Sequence, residues 1–212
     1  MTPKEKLLDI SMLLGTAAAV LISAFAGFAK ECDEMKERTF RLHILANSDS
    51  AYDQRIKYEL RDHIVDELGT VFSSCETKDE TKALAQRNLP YIEQRANEFL
   101  QSRGCEYTAV CTVCEDEFPT RVYEDYTLPS GRYDALRIVI GDGNGKNWWC
   151  VLYPSVCVSA ASAVTGTLPA RTLYENRKAA DRMTADSLID RHDGIEYRFA
   201  LYDIIRSLFF SP

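Results

Sequence analysis

The sequence predicts an α+β protein carried behind an N-terminal membrane-targeting helix. Three observations predict it: an uncharged opening stretch, two helical segments after a first short strand, and then a long region whose apolar period is two. The expected architecture is an antiparallel sheet of four to five strands with two helices packed on one face, ending in a C-terminal helical tail. The expected division is residues 1–30 as signal peptide or membrane anchor, 38–157 as the α+β domain, and 158–212 as linker and tail.

From Ile10 to Ala29 twenty residues pass without a charge. At about 1.5 Å per residue they span roughly 30 Å, the thickness of a bilayer's hydrocarbon core. Lys4, Lys6 and the terminal amine precede the stretch, partly offset by Glu5 and Asp9, and Lys30, Glu31, Asp33 and Glu34 follow it. The positive charge favours keeping the N-terminus in the cytoplasm and sending the remainder outward. Ala24-Phe25-Ala26 and Gly27-Phe28-Ala29 both fit a signal-peptidase site. The sequence leaves cleavage and retention equally open. Cys32 does not mark a lipoprotein, because Ala29-Lys30-Glu31 is not the small apolar run that lipidation needs.

Arg41 to Ala46 reads as a strand, stopped by Asn47-Ser-Asp-Ser50. Ser50 and Asp53 form an N-cap pair. Tyr52, Ile56, Leu60, Ile64 and Leu68 then recur every four residues, an amphipathic helix. A second helical stretch opens at Thr77-Lys-Asp-Glu80, kinks or restarts at Pro90, and stops at Gly104. Strands are expected at 105–115, 121–127, 133–141 and 148–153, separated by proline and glycine turns. Residues 158–169 read as a linker, 170–192 as weakly helical, and 197–210 as a last amphipathic helix.

The 212-residue chain has a formal net charge of -7 and no cluster of Lys and Arg, which argues against nucleic acid as a partner. Seven cysteines in an exported protein bring disulfides into question. Cys150 and Cys157 flank Pro154 and are the expected pair. Cys111 and Cys114 lie three apart on a strand, so they point to opposite faces and read as core residues rather than a redox or zinc half-site.

Gly141-Asp-Gly-Asn-Gly145 is neither a dinucleotide fingerprint nor a calcium loop. A strand follows it rather than a helix, and the fifth and twelfth calcium positions would be Lys146 and Tyr153. It is expected to supply positive torsions in a hairpin turn. Nothing in the spacing favours a nucleophilic pair of Cys150 with His43 or His63, oriented by Asp49 or Asp62, over structural histidines. His192 stands before the tail helix. A secreted cysteine-dependent hydrolase acting on cell wall or peptide is the alternative that such a pair would serve. No cofactor or metal is expected. Trp148 and Trp149 are adjacent on a strand, so their rings take opposite faces; one can fill the core, and the other can anchor a partner or be buried in turn by a two-sided core.

Four segments together resemble the stage II sporulation protein R family of endospore-forming Gram-positive bacteria: Arg41-Leu-His-Ile-Leu-Ala-Asn-Ser-Asp-Ser50, Phe118-Pro-Thr-Arg-Val-Tyr123, Leu128-Pro-Ser-Gly-Arg-Tyr133 and Gly141-Asp-Gly-Asn-Gly-Lys-Asn-Trp-Trp-Cys-Val-Leu-Tyr-Pro154. The likeness covers about residues 38–157. It implies a non-enzymatic protein made in the forespore and exported across the forespore membrane into the intermembrane space. There it would activate the membrane-embedded aspartic protease that processes the precursor of sigma-E. The surface expected to meet that protease comprises Asn47, Asp49, Gly143, Asn144, Gly145, Asn147, Trp148 and Trp149.

Overall fold

A computed structural model describes residues 2–72, 74–122, 127–154, 199–200 and 202–205. The chain opens with helix α1, Pro3–Glu37. Thr2 caps it reciprocally: Glu5 N donates to Thr2 Oγ1 at 3.4 Å and Thr2 N donates to Glu5 Oε2 at 2.6 Å. The helix is long and apolar enough to cross a membrane, and its apolar residues from Leu7 to Ile22 are exposed. It therefore carries a span compatible with a signal or an anchor. It also runs past the expected boundary at residue 30, because Phe28, Cys32 and Met35 form a buried stripe on its last turns.

Strand β1, Phe40–Leu45, is buried at every residue, so it lies at the sheet's centre with both faces covered. Helix α2, Ala51–Phe72, follows. Ser50 Oγ accepts from Asp53 N at 3.1 Å, the expected cap, and the four-residue stripe Ile56, Leu60, Ile64 and Leu68 is buried. The second helical region divides into α3, Lys78–Arg87, and α4, Leu89–Ser102. Pro90 sits in the first turn of α4, where its missing N–H costs nothing. Gly104 ends α4 at φ 71°.

The remaining strands are β2, Ala109–Phe118; β3, Arg121–Val122; β4, Thr127–Leu128; β5, Gly131–Ile140; and β6, Asn147–Tyr153. The main sheet has the order β2-β5-β1-β6, and β3 and β4 form a separate ribbon. The sheet is mixed rather than antiparallel, because β1 and β5 run parallel at its centre, Leu42 facing Leu136 and Ile44 facing Ile138. Alternation reports which side chains share a face, not which way a strand runs. Here the β2–β5 hairpin lays its second arm beside β1 in β1's own direction.

One sheet face carries Phe40, Leu42, Ile44, Cys111, Leu136, Ile138, Ile140, Cys150 and Leu152 into a core shared with α2, α3 and α4. The β2 edge is closed by side chains of α4. Asn97 accepts from Ala109 N at 2.8 Å and donates to Ala109 O at 3.0 Å, while Glu93 accepts from Cys111 N at 2.8 Å. The opposite face holds a smaller cluster of Phe118, Tyr133, Ala135 and Trp149. Fully buried Arg41 reaches into it, its guanidinium 4.1 Å from the Phe118 ring centre and 4.9 Å from that of Tyr133.

Of the expected tail helix, Phe199–Ala200 and the residues 202–205 are helical. The linker and the weakly helical stretch lie outside the described residues.

Candidate functional site

Because β5 and β6 flank β1 without pairing to each other, the glycine-rich segment is not a hairpin turn as expected. It crosses the end of β1, and that crossing explains its composition. Gly141 and Gly143 have φ of 57° and 66°, the left-handed region open to glycine at little cost. At Gly145 a β-carbon would stand 2.3 Å from the carbonyl oxygen of Ser48. The turn chemistry was readable in the sequence; the strand beneath it was not.

The crossing loop is bonded to the segment after β1. Asn144 N donates to Asn47 O at 3.1 Å and Gly145 N to Ala46 O at 2.9 Å. Asp142 N donates to Asn47 Oδ1 at 3.0 Å, and Lys146 N to Asp49 Oδ1 at 2.7 Å. The side-chain oxygens of Asn47 and Asp49 therefore hold the loop's backbone. The exposed positions on this platform are Asp49, Ser50, Asp142, Asn144, Lys146 and Asn147.

Beneath the platform lies Asp53, which sequence reasoning took only as a helix cap. Its carboxylate accepts from Asn47 Nδ2 at 3.0 Å, from Ser48 Oγ at 2.5 Å and from the Tyr107 hydroxyl. Burial works to raise its pKa, but the hydrogen bonds from Ser48, Tyr107, Asn47 and Ser50 outweigh that and hold it below the usual carboxylate range. Fully buried Lys57 donates to Lys146 O at 2.9 Å and to Gln54 Oε1 at 2.7 Å. Burial pulls its pKa below the usual lysine value.

Asp53→Asn is expected to destabilise the protein by about 1–3 kcal/mol near neutral pH, the cost of a broken buried network. A depressed folded-state pKa contributes stability above the unfolded value and loses it as pH falls through the folded one. The gap between variant and parent should therefore shrink between about pH 6 and about pH 3. Urea midpoints at both values check it; a gap independent of pH would contradict the assignment.

The two tryptophans take opposite faces as expected. Trp148 packs against the helix-side core, with the Arg61 guanidinium 5.2 Å from its ring centre. Trp149 lies on the other face, between the Arg121 guanidinium at 4.4 Å and the stacked ring of His43 at 5.7 Å. Its indole Nε1 is buried and has no partner among the described residues.

His43 completes this second face. Its Nδ1 lies 2.6 Å from Asp116 Oδ2 and its Nε2 lies 3.0 Å from Asn147 Oδ1. Arg137 Nε stands 3.6 Å from the same Asp116 oxygen. In the sheet register Asp116 faces Tyr133 while His43 faces Arg137, so the far end of the β2–β5 ribbon must curl over the face for the pair to meet. Nothing in the sequence linked residues so far apart.

A His–Asp pair is the base-and-orienter arrangement of many hydrolases, but here Nε2 faces an amide rather than a nucleophile. Cys150 is disulfide-bonded and belongs to the opposite face, which overturns the expected alternative of a Cys150–His43 pair. The expected disulfide partner, Cys157, lies outside the described residues. His63 stacks on Phe99 at 4.9 Å and stands 3.9 Å from Glu67, a surface contact between α2 and α4 remote from Cys150's strand. Asp62 is engaged by Arg61 at 2.7 Å. His192 lies outside the described residues. Cys111 is buried on the helix side and Cys114 is half-buried, both as free thiols. Burial, with Glu93 adding to it, pushes the Cys111 thiol up to about 12, the state of an inert core residue.

An apolar helix long enough to span a bilayer, leading into a mixed α+β domain whose sheet ends in a bonded two-loop platform, defines the class: an α+β protein with an N-terminal helix compatible with a signal or a membrane anchor. The comparisons with known proteins then give the family. The family model described as stage II sporulation protein R matches residues 36–163. The stage II sporulation protein R of Bacillus subtilis (strain 168) is 29% identical over 210 residues, covering 90% of this chain and 94% of that protein. This chain belongs to the stage II sporulation protein R family. No solved structure matches it.

Proposed function

We propose that this chain is a non-enzymatic intercompartmental signal of endospore formation. It is exported across the forespore membrane, and its domain activates, in the intermembrane space, the membrane-embedded aspartic protease that processes the precursor of sigma-E. The observation that carries this reading is the pairing of an exposed apolar span with a domain of this family on one chain.

The activating surface is the rim where the platform meets Trp149. Asn47, Asp49, Gly143 and Gly145 shape it, while Asn144 and Asn147 are exposed on it. Trp149 is the aromatic anchor, half-buried and already held between two cationic or polar neighbours. Trp148 supports it from the helix side. Such a ligand can shift the protease toward its active form only by the difference in its affinity for the two forms. A preorganised, internally bonded rim suits that task, because little conformational freedom is lost on docking.

Deleting the gene while monitoring a mother-cell reporter for sigma-E activity tests the role. The reporter should fall to background and return when the chain is supplied only to the forespore. A reporter that stays on in the deletion strain would leave only a structural role.

A further inference from the structure

The described residues of the C-terminal segment do not form a separate tail. They seat on α1 where that helix leaves the membrane span. Counting about 30 Å of hydrocarbon at 1.5 Å per residue from Ile10 places the end of the span near Ala29. The residues that follow, to Glu37, form a stalk of about two turns. At this exit and along the stalk, Phe25, Phe28, Cys32 and Met35 face one way, and Phe199 and Tyr202 close over them. The rings of Phe28 and Phe199 meet edge-on at 5.1 Å, and those of Phe28 and Tyr202 at 6.1 Å. Lys36 Nζ donates to the Tyr202 hydroxyl at 2.9 Å. The next residue, Asp203, accepts from Thr120 Oγ1 at 2.8 Å and from the Ser130 hydroxyl, which ties the same segment to the domain at the β3–β4 ribbon.

Both signal-peptidase motifs fall inside this arrangement. A peptidase that reads two small residues, one position apart from each other, needs them on one side of an extended strand. In α1, Ala24 and Ala26, like Gly27 and Ala29, are helical and therefore point about 200° apart. Phe28, in the middle of the second motif, is only 3% exposed. Unwinding either site would have to break the Phe25–Phe28–Tyr202 packing.

We infer that α1 is retained as an uncleaved anchor in the phospholipid bilayer, and that the C-terminal helical segment is the latch that keeps its exit turns helical and closed to signal peptidase. This rests on the export reading proposed above and goes beyond it: the signal acts tethered, within reach of its own membrane.

The test is expression of the full chain, tagged at its C-terminus, in a Gram-positive host. Membranes are washed with carbonate and the chain's intact mass is measured. The expected result is a full-length chain of 24.0 kDa plus tag, resistant to carbonate and digestible from outside once the wall is removed. A released product beginning at Gly27 or Lys30 as the main species overturns the anchor while leaving export intact. A chain found wholly in the cytosol overturns the export reading itself, and this inference with it. The double variant Phe199→Asp, Tyr202→Asp should raise the cleaved fraction at least tenfold. Because that variant could act by unfolding the domain, a Phe28→Cys, Phe199→Cys chain supplies a second readout. Mild oxidation of membranes should cross-link its two ends, and failure to cross-link overturns the latch.

Discussion

Arg41→Ala is expected to cost about 3–5 kcal/mol, the sum of a cavity and two lost cation–π contacts. Arg41 is fully buried, its Nε donates to Cys150 O at 3.5 Å, and its guanidinium packs against the rings of both Phe118 and Tyr133. Those two rings also meet each other edge-on at 5.5 Å, so removing the cation unsettles the cluster beneath the curled β2–β5 ribbon. Against a whole-protein stability of about 5–15 kcal/mol, the loss would leave a marginal domain. Arg41→Lys keeps the charge without the planar fork and should recover only part of it. Urea unfolding followed by tryptophan fluorescence measures both. A change below about 0.5 kcal/mol for the alanine variant would contradict this account of the second face.

The largest functional effect is expected at Trp149. Trp149→Ala should lower processing of the sigma-E precursor about thirtyfold or more, the loss of one aromatic hot spot worth at least about 2 kcal/mol. The chain should still reach the membrane at its normal level. Trp148→Ala removes a side chain packed on the helix-side core and should act chiefly by lowering the amount of folded protein. Comparing processing per folded molecule separates the two, with folded protein measured by protease resistance. If Trp149→Ala processes as well as the parent at equal abundance, the rim is not the contact surface.

Much of this architecture was legible where a local period decides it. The Ile56–Leu68 stripe, the opposed rings of Trp148 and Trp149 and the opposed Cys111 and Cys114 all follow from helix and strand periods. What the sequence could not show is pairing at a distance. Parallel alignment of β1 with β5 turned a presumed hairpin at Gly141–Gly145 into a crossing over β1. The same crossing placed Asn47 and Asp49 as backbone holders rather than free surface groups. His43 and Asp116 meet only because a ribbon curls, and no spacing signals that. The extension of α1 to Glu37 was readable but hidden by charge: Lys30 to Glu34 look like a boundary, while Phe25, Phe28, Cys32 and Met35 keep a helical stripe through them.

Reconstitution in a heterologous bacterium tests the signalling role most directly. The membrane-embedded aspartic protease and the sigma-E precursor are co-expressed with the full chain, with the chain lacking residues 1–37, or with neither. Mature sigma factor should accumulate only with the exported, full chain. Equal processing in all three cultures, or from the truncated chain confined to the cytosol, would contradict it.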